Sequence, residues 1–353
     1  MLRIIQATEP VVLAPFFAPR IAAMRVPDEI RKCILFVGIK DKDGNFLPRA
    51  TAFFVSIFEH QHQWNYVVTA QHVVSGLLLA KHDIWIRNNN KEGRPIEMKV
   101  LPEHWSYGLS SPDGLETDVA VVPVVVTPDE DVLAVALNGP QSLLLTEKEI
   151  AQYDIGVGDE IHIAGLFRSH YGRQKNVPII RVGNIAMMEG EPVWTRYCGY
   201  VEAHLIEAMS IGGLSGSPVF VNIGLHRIIK SRTVATSGRP YLFLGLMHGH
   251  FDIKNLNEDV VDEDETASLK GVHTGIGVVI PARKIVEIIF HPEQSEMRRK
   301  LIEKHREKDG AIADVISEEP LSSDSDDANP NHQADFTRLV DVAARKRPQG
   351  DQT

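Results

Sequence analysis

Three residue types that together perform nucleophilic catalysis stand in the order histidine, aspartate, serine along the sequence: His72, Asp118 and Ser215. A serine hydroxyl is a weak nucleophile, so it needs a general base within hydrogen-bond reach, itself oriented by a third group. His72 follows the small pair Thr69-Ala70 at the end of a predicted strand, where an imidazole would have room beside a cleft. Taken singly, each residue also fits a structural role, such as a strand-end histidine or a capping aspartate. The combination is what favours catalysis.

Ser215 lies in the glycine-rich segment "IGGLSGSPVF", residues 211–220, directly before a strand-like "PVF". Glycine supplies backbone conformations that other residues resist, and it permits close approach of another molecule. The segment is therefore either an ordinary hairpin turn or a nucleophile turn that presents Ser215 to a substrate between free backbone N–H groups.

The elements that must position these residues are predicted to be short strands. β-branched or apolar runs recur from Cys33 onward, separated by Gly, Pro, Asn and Asp clusters. Six strands are predicted in each half of the chain: 33–39, 51–58, 65–70, 83–87, 96–101 and 118–125, then 160–165, 178–188, 201–206, 217–222, 241–248 and 275–280. Many short strands at near-regular spacing are typical of all-β sandwiches or barrels. A short helix is predicted around "LTEKEIAQY", and "PARKIVEIIF" places Ile285, Ile288 and Ile289 on one face of another.

The composition is that of a globular protein: 353 residues, of which 43% are apolar and 24% charged. The net charge of −10 argues against general binding to nucleic acid or to an anionic membrane, since both need a basic face. The two cysteines, Cys33 and Cys198, allow one disulfide at most, which favours a reducing compartment and a cytoplasmic protein. No apolar run reaches the roughly 18–20 residues that span a bilayer. The signal-like "VVLAPFFAPRIAAM" is interrupted by prolines and Arg20, so we expect an N-terminal arm over residues 1–30.

Four stretches make the sequence resemble the chymotrypsin-like serine peptidases, most closely their bacterial HtrA-like and glutamyl-endopeptidase branches: "VVTAQHVV", "TDVAVVPV", "GGLSGSPVF" and "TGIGVVIP". The resemblance implies an all-β fold of two six-stranded antiparallel β-barrels, over 31–140 and 141–290, with the triad in the cleft between them. It implies that His72 is the general base and later the general acid, that Asp118 holds its tautomer, and that Ser215 is acylated. The N–H groups of Gly213 and Ser215 would form the oxyanion hole, and neither a cofactor nor a metal is expected.

The sequence departs from the family pattern in three places. "ATAFF" stands where HtrA-like proteins have G-T-G-F, so the packing there is expected to differ. Leu214 replaces the aspartate that precedes the serine in digestive proteases, so we expect activity without N-terminal cleavage. No PDZ domain follows, because the sequence predicts a charged helix over 291–309 and a disordered acidic tail over 310–353.

The resemblance also suggests where substrate specificity is set. Met209 would set the floor of the primary pocket, and His248, Gly249 and His250 would form one wall. Ser210 is a further candidate for substrate binding. Because Met209 is uncharged, cleavage after small or medium apolar residues is expected, with Glu-specific cleavage as the alternative. The acidic insert 252–265 is either a solvated loop or a border of the cleft.

We therefore expect a serine endopeptidase acting on peptide or protein substrates, the alternative being a catalytically silent binding module with the same fold. Within the tail, residues 335–347 combine an apolar helical face with the basic run Arg345-Lys346-Arg347. This segment is either a frayed solvated helix or a docking peptide for a partner.

Overall fold

The computed structural model describes residues 26–188, 190–208, 213–236, 238–252 and 273–303. Met209, Ser210, most of the acidic insert, and the predicted tail with residues 335–347 lie outside the described residues, as do residues 1–25. Among the described residues, no helix is both long and apolar enough to cross a membrane.

The described residues form five helices. Helices α1 to α4 span Asp28–Lys32, Gln71–Leu79, Glu147–Tyr153 and Ala282–Ile289, and residues 292–303 form α5. Short 3-10 turns span Pro102–His104 and Arg168–His170. The helix predicted around "LTEKEIAQY" is α3, and the apolar face predicted on α4 is confirmed, because Ile285, Ile288 and Ile289 are all buried.

The N-terminal half is a sheet that contains all six predicted strands. Strands β1 to β8 span Ile34–Lys40, Phe46–Glu59, His62–Thr69, Ile84–Asn89, Pro95–Val100, Ser106–Tyr107, Ala120–Val124 and Val135–Ala136. Their order is β5-β4-β1-β2-β3-β7-β6, and β8 pairs in parallel with β2. The sheet thus has eight strands rather than six, because the two-residue strands β6 and β8 are too short to leave a sequence pattern. Its end strands, β5 and β6, do not pair with each other, so the described strands of this half form an open sheet and not the predicted closed barrel. Strand β2 is also longer than predicted, since it starts at Phe46.

The C-terminal half is a closed six-stranded antiparallel barrel, as predicted. Strands β9 to β18 span Glu160–Gly165, Ile179–Met187, Val193–Thr195, Gly199–Val201, His204–Glu207, Pro218–Asn222, His226–Ile229, Arg232–Ala235, Tyr241–Asp252 and His273–Pro281. The barrel order is β10-β13-β18-β17-β14-β9, while β11-β12 and β15-β16 are separate two-stranded sheets. The predicted strand 201–206 is divided between the end of β12 and β13. The all-β fold class, with a helix after the last strand, is therefore confirmed.

The two halves share a hydrophobic core. Phe53 of β2 packs edge-on against Phe243 of β17 with ring centroids 5.4 Å apart, and Phe220 of β14 lies 5.6 Å from the same ring. All three side chains are fully buried. The contact between the sheet and the barrel is therefore rigid apolar packing, which fixes the relative position of residues that come from both halves.

Helix α5 is attached to the N-terminal sheet by a buried arginine. Arg298 has no exposed surface, and its guanidinium donates to Glu59, to the Tyr66 hydroxyl at 2.9 Å and to the Ile289 carbonyl at 2.7 Å. The last described helix thus returns to the strands formed by the first part of the chain. The predicted domain boundaries stay a prediction.

Candidate active site

His72 lies on a helix rather than at the end of a strand, which corrects the sequence prediction. Strand β3 ends at Thr69, Ala70 is extended, and α2 begins at Gln71, so His72 is in the first helical turn. The helix was missed because its sequence, "QHVVSGLLL", combines two valines with a central glycine, and both residue types weaken a helical pattern. Ala70, at the N-cap of this helix, is fully buried.

Asp118 holds His72 at two points. The aspartate is fully buried just before β7; one carboxylate oxygen accepts the backbone N–H of His72 at 2.8 Å, and the other lies 2.7 Å from His72 Nδ1. An ionised carboxylate only accepts hydrogen bonds, so Nδ1 carries the proton and Nε2 is left with a free lone pair. This is the tautomer that a general base requires.

A second imidazole contacts the same carboxylate. Nδ1 of His248, on β17, forms a very short hydrogen bond to the Asp118 oxygen that also faces His72. His248 is 3% exposed, and its ring centroid lies 5.1 Å from that of His72. The sequence prediction placed His248 in a pocket wall and did not foresee this contact, because nothing in the local sequence links β17 to Asp118.

The two histidines determine the electrostatics of Asp118. Burial by itself would raise the pKa of this carboxyl, but the hydrogen bonds from His248 and His72 lower it far below the usual aspartate value. Nearby, burial and the Asp118 carboxylate raise the pKa of the Cys198 thiol well above its usual value, so this thiol is protonated at neutral pH. Cys33 and Cys198 are both free cysteines.

The turn between β11 and β12 covers one face of His72. The Tyr197 ring stacks on the imidazole with a centroid distance of 4.7 Å and an interplanar angle of 6°. Tyr197 is 65% exposed, so it forms a surface rim rather than part of the core. The adjacent strand is tied to the Asp118 segment, because the Glu116 N–H donates to the Tyr200 carbonyl at 3.0 Å.

Ser215 lies on a tight turn between two glycines with positive φ. Gly213 has φ +110° and Gly216 has φ +82°, and a Cβ on Gly216 would lie 2.2 Å from the Thr51 carbonyl oxygen. Only glycine fits such a position without strain. The Ser215 hydroxyl is close to β17, since a Cβ built on Gly249 would lie 3.9 Å from it. This hydroxyl forms no hydrogen bond with another described residue, and such bonds are often long in the absence of substrate.

Thr51 of β2 holds this turn from the other half of the molecule, and sequence reasoning missed it. Its N–H donates to the Ser215 carbonyl at 3.1 Å, and its hydroxyl donates to the Gly213 carbonyl at 2.8 Å. The same hydroxyl accepts the Leu166 N–H at 2.9 Å. Thr51 is the polar residue of "ATAFF" and is fully buried. The only sequence signal that could have identified it is a threonine between two alanines in an otherwise apolar run.

The structure thus brings His72, Asp118 and His248 into direct contact and places Ser215 beside Gly249. His250 lies two residues further along β17 and is partly exposed. Met209 and Ser210 lie outside the described residues, so the pocket floor stays a prediction. Leu214 is buried in the barrel core, where it presents no charge to an N-terminal amine.

No family model and no curated protein matches this sequence. Among solved structures, Deg5 is similar with a TM-score of 0.40 and 13% identity, over 74% of this chain and 88% of the other. The MamO protease domain from Magnetospirillum magneticum, in its apo form, has a TM-score of 0.40 and 15% identity over 73% of this chain and 96% of its own. The HtrA-type protease AlgW, solved with a decapeptide, has a TM-score of 0.39 and 15% identity, over 75% of this chain and 66% of its own. At such low identity these similarities do not assign an activity to this chain. An activity has to be argued from the residues of the site.

Proposed function

We propose that the protein is a serine endopeptidase that uses His72, Asp118 and Ser215 as its catalytic triad. The observation that supports this best is the two-point contact between Asp118 and His72, which sets both the position and the tautomer of the imidazole. The turn that carries Ser215 is held by Thr51 from the opposite half of the molecule. The first feature orients the base and the second orients the nucleophile, and catalysis by a triad depends on both orientations.

In this mechanism, His72 Nε2 accepts the Ser215 hydroxyl proton while the serine oxygen attacks the carbonyl carbon of the scissile peptide. Asp118 stabilises the imidazolium that results, and the N–H groups of Gly213 and Ser215 donate to the oxyanion. The imidazolium then protonates the leaving amine, and an acyl-enzyme remains. A water molecule activated by His72 hydrolyses the acyl-enzyme and restores the serine.

The proposal is tested with a fluorophosphonate probe and a peptide-substrate library. The full-length chain should be labelled and should cleave peptides, whereas Ser215→Ala should lose labelling and about 10⁶-fold in turnover. Ser217→Ala is the matched control: Ser217 is fully buried and its hydroxyl has no hydrogen-bond partner among the described residues. Peptidase activity that survives in Ser215→Ala would contradict the proposal.

The alternative is a catalytically silent binding module. It is favoured by the stacking of Tyr197 on His72 and by the missing hydrogen bond between Ser215 and His72. If the unmodified protein is not labelled although peptides bind to it, the silent module is the better description.

For the active enzyme, we propose cleavage after small or medium apolar residues, with Glu-specific cleavage as the alternative. A positional-scanning peptide library distinguishes the two, and a dominant preference for Arg or Lys would contradict both.

A further inference from the structure

Two imidazoles and a carboxylate converge in the candidate active site. The ligand atoms of His72, Asp118 and His248 all lie within 4.8 Å of one another. Asp118 and His248 are buried, whereas 14% of the His72 side chain is exposed, so solvent reaches the cluster from one side. Two neutral imidazoles and a carboxylate are donors that Zn²⁺ binds well, at about 2.0–2.2 Å.

We propose that His72, Asp118 and His248 form a binding site for Zn²⁺, and that the bound ion switches the enzyme off. The inhibition rests on the proposed function, but the binding does not.

The ion would take the place of the two Nδ1 protons that now face Asp118. His72 Nδ1 lies 2.7 Å from the carboxylate oxygen, and His248 Nδ1 contacts the same oxygen. Ligands around a tetrahedral zinc ion are spaced by roughly 3.3 Å, which follows from the zinc–ligand distances. To reach the ligand spacing of a zinc site, the side chains would therefore have to move by roughly 1 Å or less. The backbone N–H of His72, which donates to the other Asp118 oxygen at 2.8 Å, would orient the carboxylate as outer-shell partners do in metal sites.

Inhibition follows from the tautomer that the metal requires. A ring that coordinates through Nδ1 carries its single proton on Nε2, so each imidazole moves one proton between its nitrogens and none is released overall. His72 Nε2–H then has no lone pair with which to accept the Ser215 proton. Three protein ligands leave the fourth coordination position of a tetrahedral ion for water.

Binding is tested on the full-length protein after treatment with a chelator. Co²⁺ is titrated first, because its visible absorption reports coordination, and Zn²⁺ is then used to displace it. Ser215→Ala should bind both ions as the unmodified protein does. His248→Asn should bind at least 100-fold more weakly, since even outer-shell changes cost 10–100-fold. If circular dichroism shows that His248→Asn does not fold, His72→Asn takes its place.

Two variants control for adventitious binding. His250→Asn changes a histidine two residues away on β17, and Cys198→Ser removes the nearest thiol; both should keep the affinity of the unmodified protein. Zn²⁺ should also suppress fluorophosphonate labelling. Half of the suppression should be reached at the zinc concentration that half-saturates the site. In His248→Asn, suppression relative to its own metal-free rate should need at least 100-fold more zinc.

The inference fails if the unmodified protein gives no Co²⁺ spectrum, or if His248→Asn and the unmodified protein bind alike. It also fails if binding is lost in His250→Asn or Cys198→Ser. A protein that binds metal but is never labelled contradicts the proposed function and leaves the metal site intact.

Discussion

Asp118 is the residue on which most of the site's contacts converge, and its protonation should be visible in stability. Its pKa is lowered in the folded protein, so the folded state keeps this group ionised at pH values where the unfolded chain has already bound a proton. The contribution is fully present above the ordinary aspartate value of about 3.9 and is lost as the pH falls toward the folded value.

We therefore expect the unfolding free energy of the protein to exceed that of Asp118→Asn at neutral pH, and by less as the pH falls below about 4. Urea unfolding at a series of pH values measures this difference. A difference between the protein and Asp118→Asn that does not change with pH would contradict the role given to the carboxylate.

Thr51 gives a second residue-scale prediction. Thr51→Val keeps the shape of the side chain but leaves the Gly213 carbonyl and the Leu166 N–H without their partner, at a cost of about 2–4 kcal/mol. Because the turn that carries Ser215 is then less well held, kcat should fall roughly 10-fold or more with little change in KM. Thr51→Ser, which keeps the hydroxyl, should restore both values toward normal. A Thr51→Val variant as active and as stable as the unmodified protein would contradict the role given to the hydroxyl.

At this scale, sequence motifs predicted that Asp118 orients His72 and that Ser215 lies on a glycine turn, because both features leave a local pattern. The catalytic roles stay a prediction. The motifs did not identify Thr51 or the contact of His248 with Asp118. Those interactions join positions that are 162 and 130 residues apart, and only the folded chain brings them together.

At the scale of elements, the turn that carries Ser215 depends on a glycine for two separate reasons. Gly216 combines φ +82° with a Cβ position that overlaps backbone, whereas Gly44, in the turn between β1 and β2, has the same φ and open space around it. Gly44→Ala should therefore cost only the backbone strain of about 1–2 kcal/mol. Gly216→Ala should cost at least twice that and should abolish fluorophosphonate labelling. Similar melting temperatures for the two variants would show that the turn can move away from Thr51.

The elements themselves were largely predictable, because apolar and β-branched runs between turn residues mark each long strand. The exceptions have physical reasons. Strands β6 and β8 form only by pairing with neighbours, and α2 is stabilised by the burial of Val74 and Leu77 rather than by helix propensity. Tertiary packing decides such cases.

At the scale of the whole molecule, the buried Arg298 is the contact that ties the C-terminal helix to the first sheet. Arg298→Met removes the partner of Glu59 and of the Tyr66 hydroxyl, and we expect a loss of about 3 kcal/mol, or a fall in Tm of roughly 5–10 °C. Arg299→Ala is the matched control, since its ion pair with Glu296 is exposed and screened by solvent, so its loss should cost far less. Calorimetry compares the two, and an equal effect would mean that α5 does not stabilise the sheet. Sequence alone could not foresee this arrangement, because arginine is rarely buried.

The position of Arg298 also has a consequence for the order in which the protein can fold during synthesis. Arg298 follows Tyr66 by 232 residues and Glu59 by 239. The first sheet is complete only at Ala136, so at roughly 5–20 residues per second it waits roughly 8–32 s for Arg298, its last partner. For most of that interval Phe243 has not yet been made, and the apolar surface around Phe53 that the barrel will cover is open to solvent. Burial of that surface has to await the arrival of the second half of the chain.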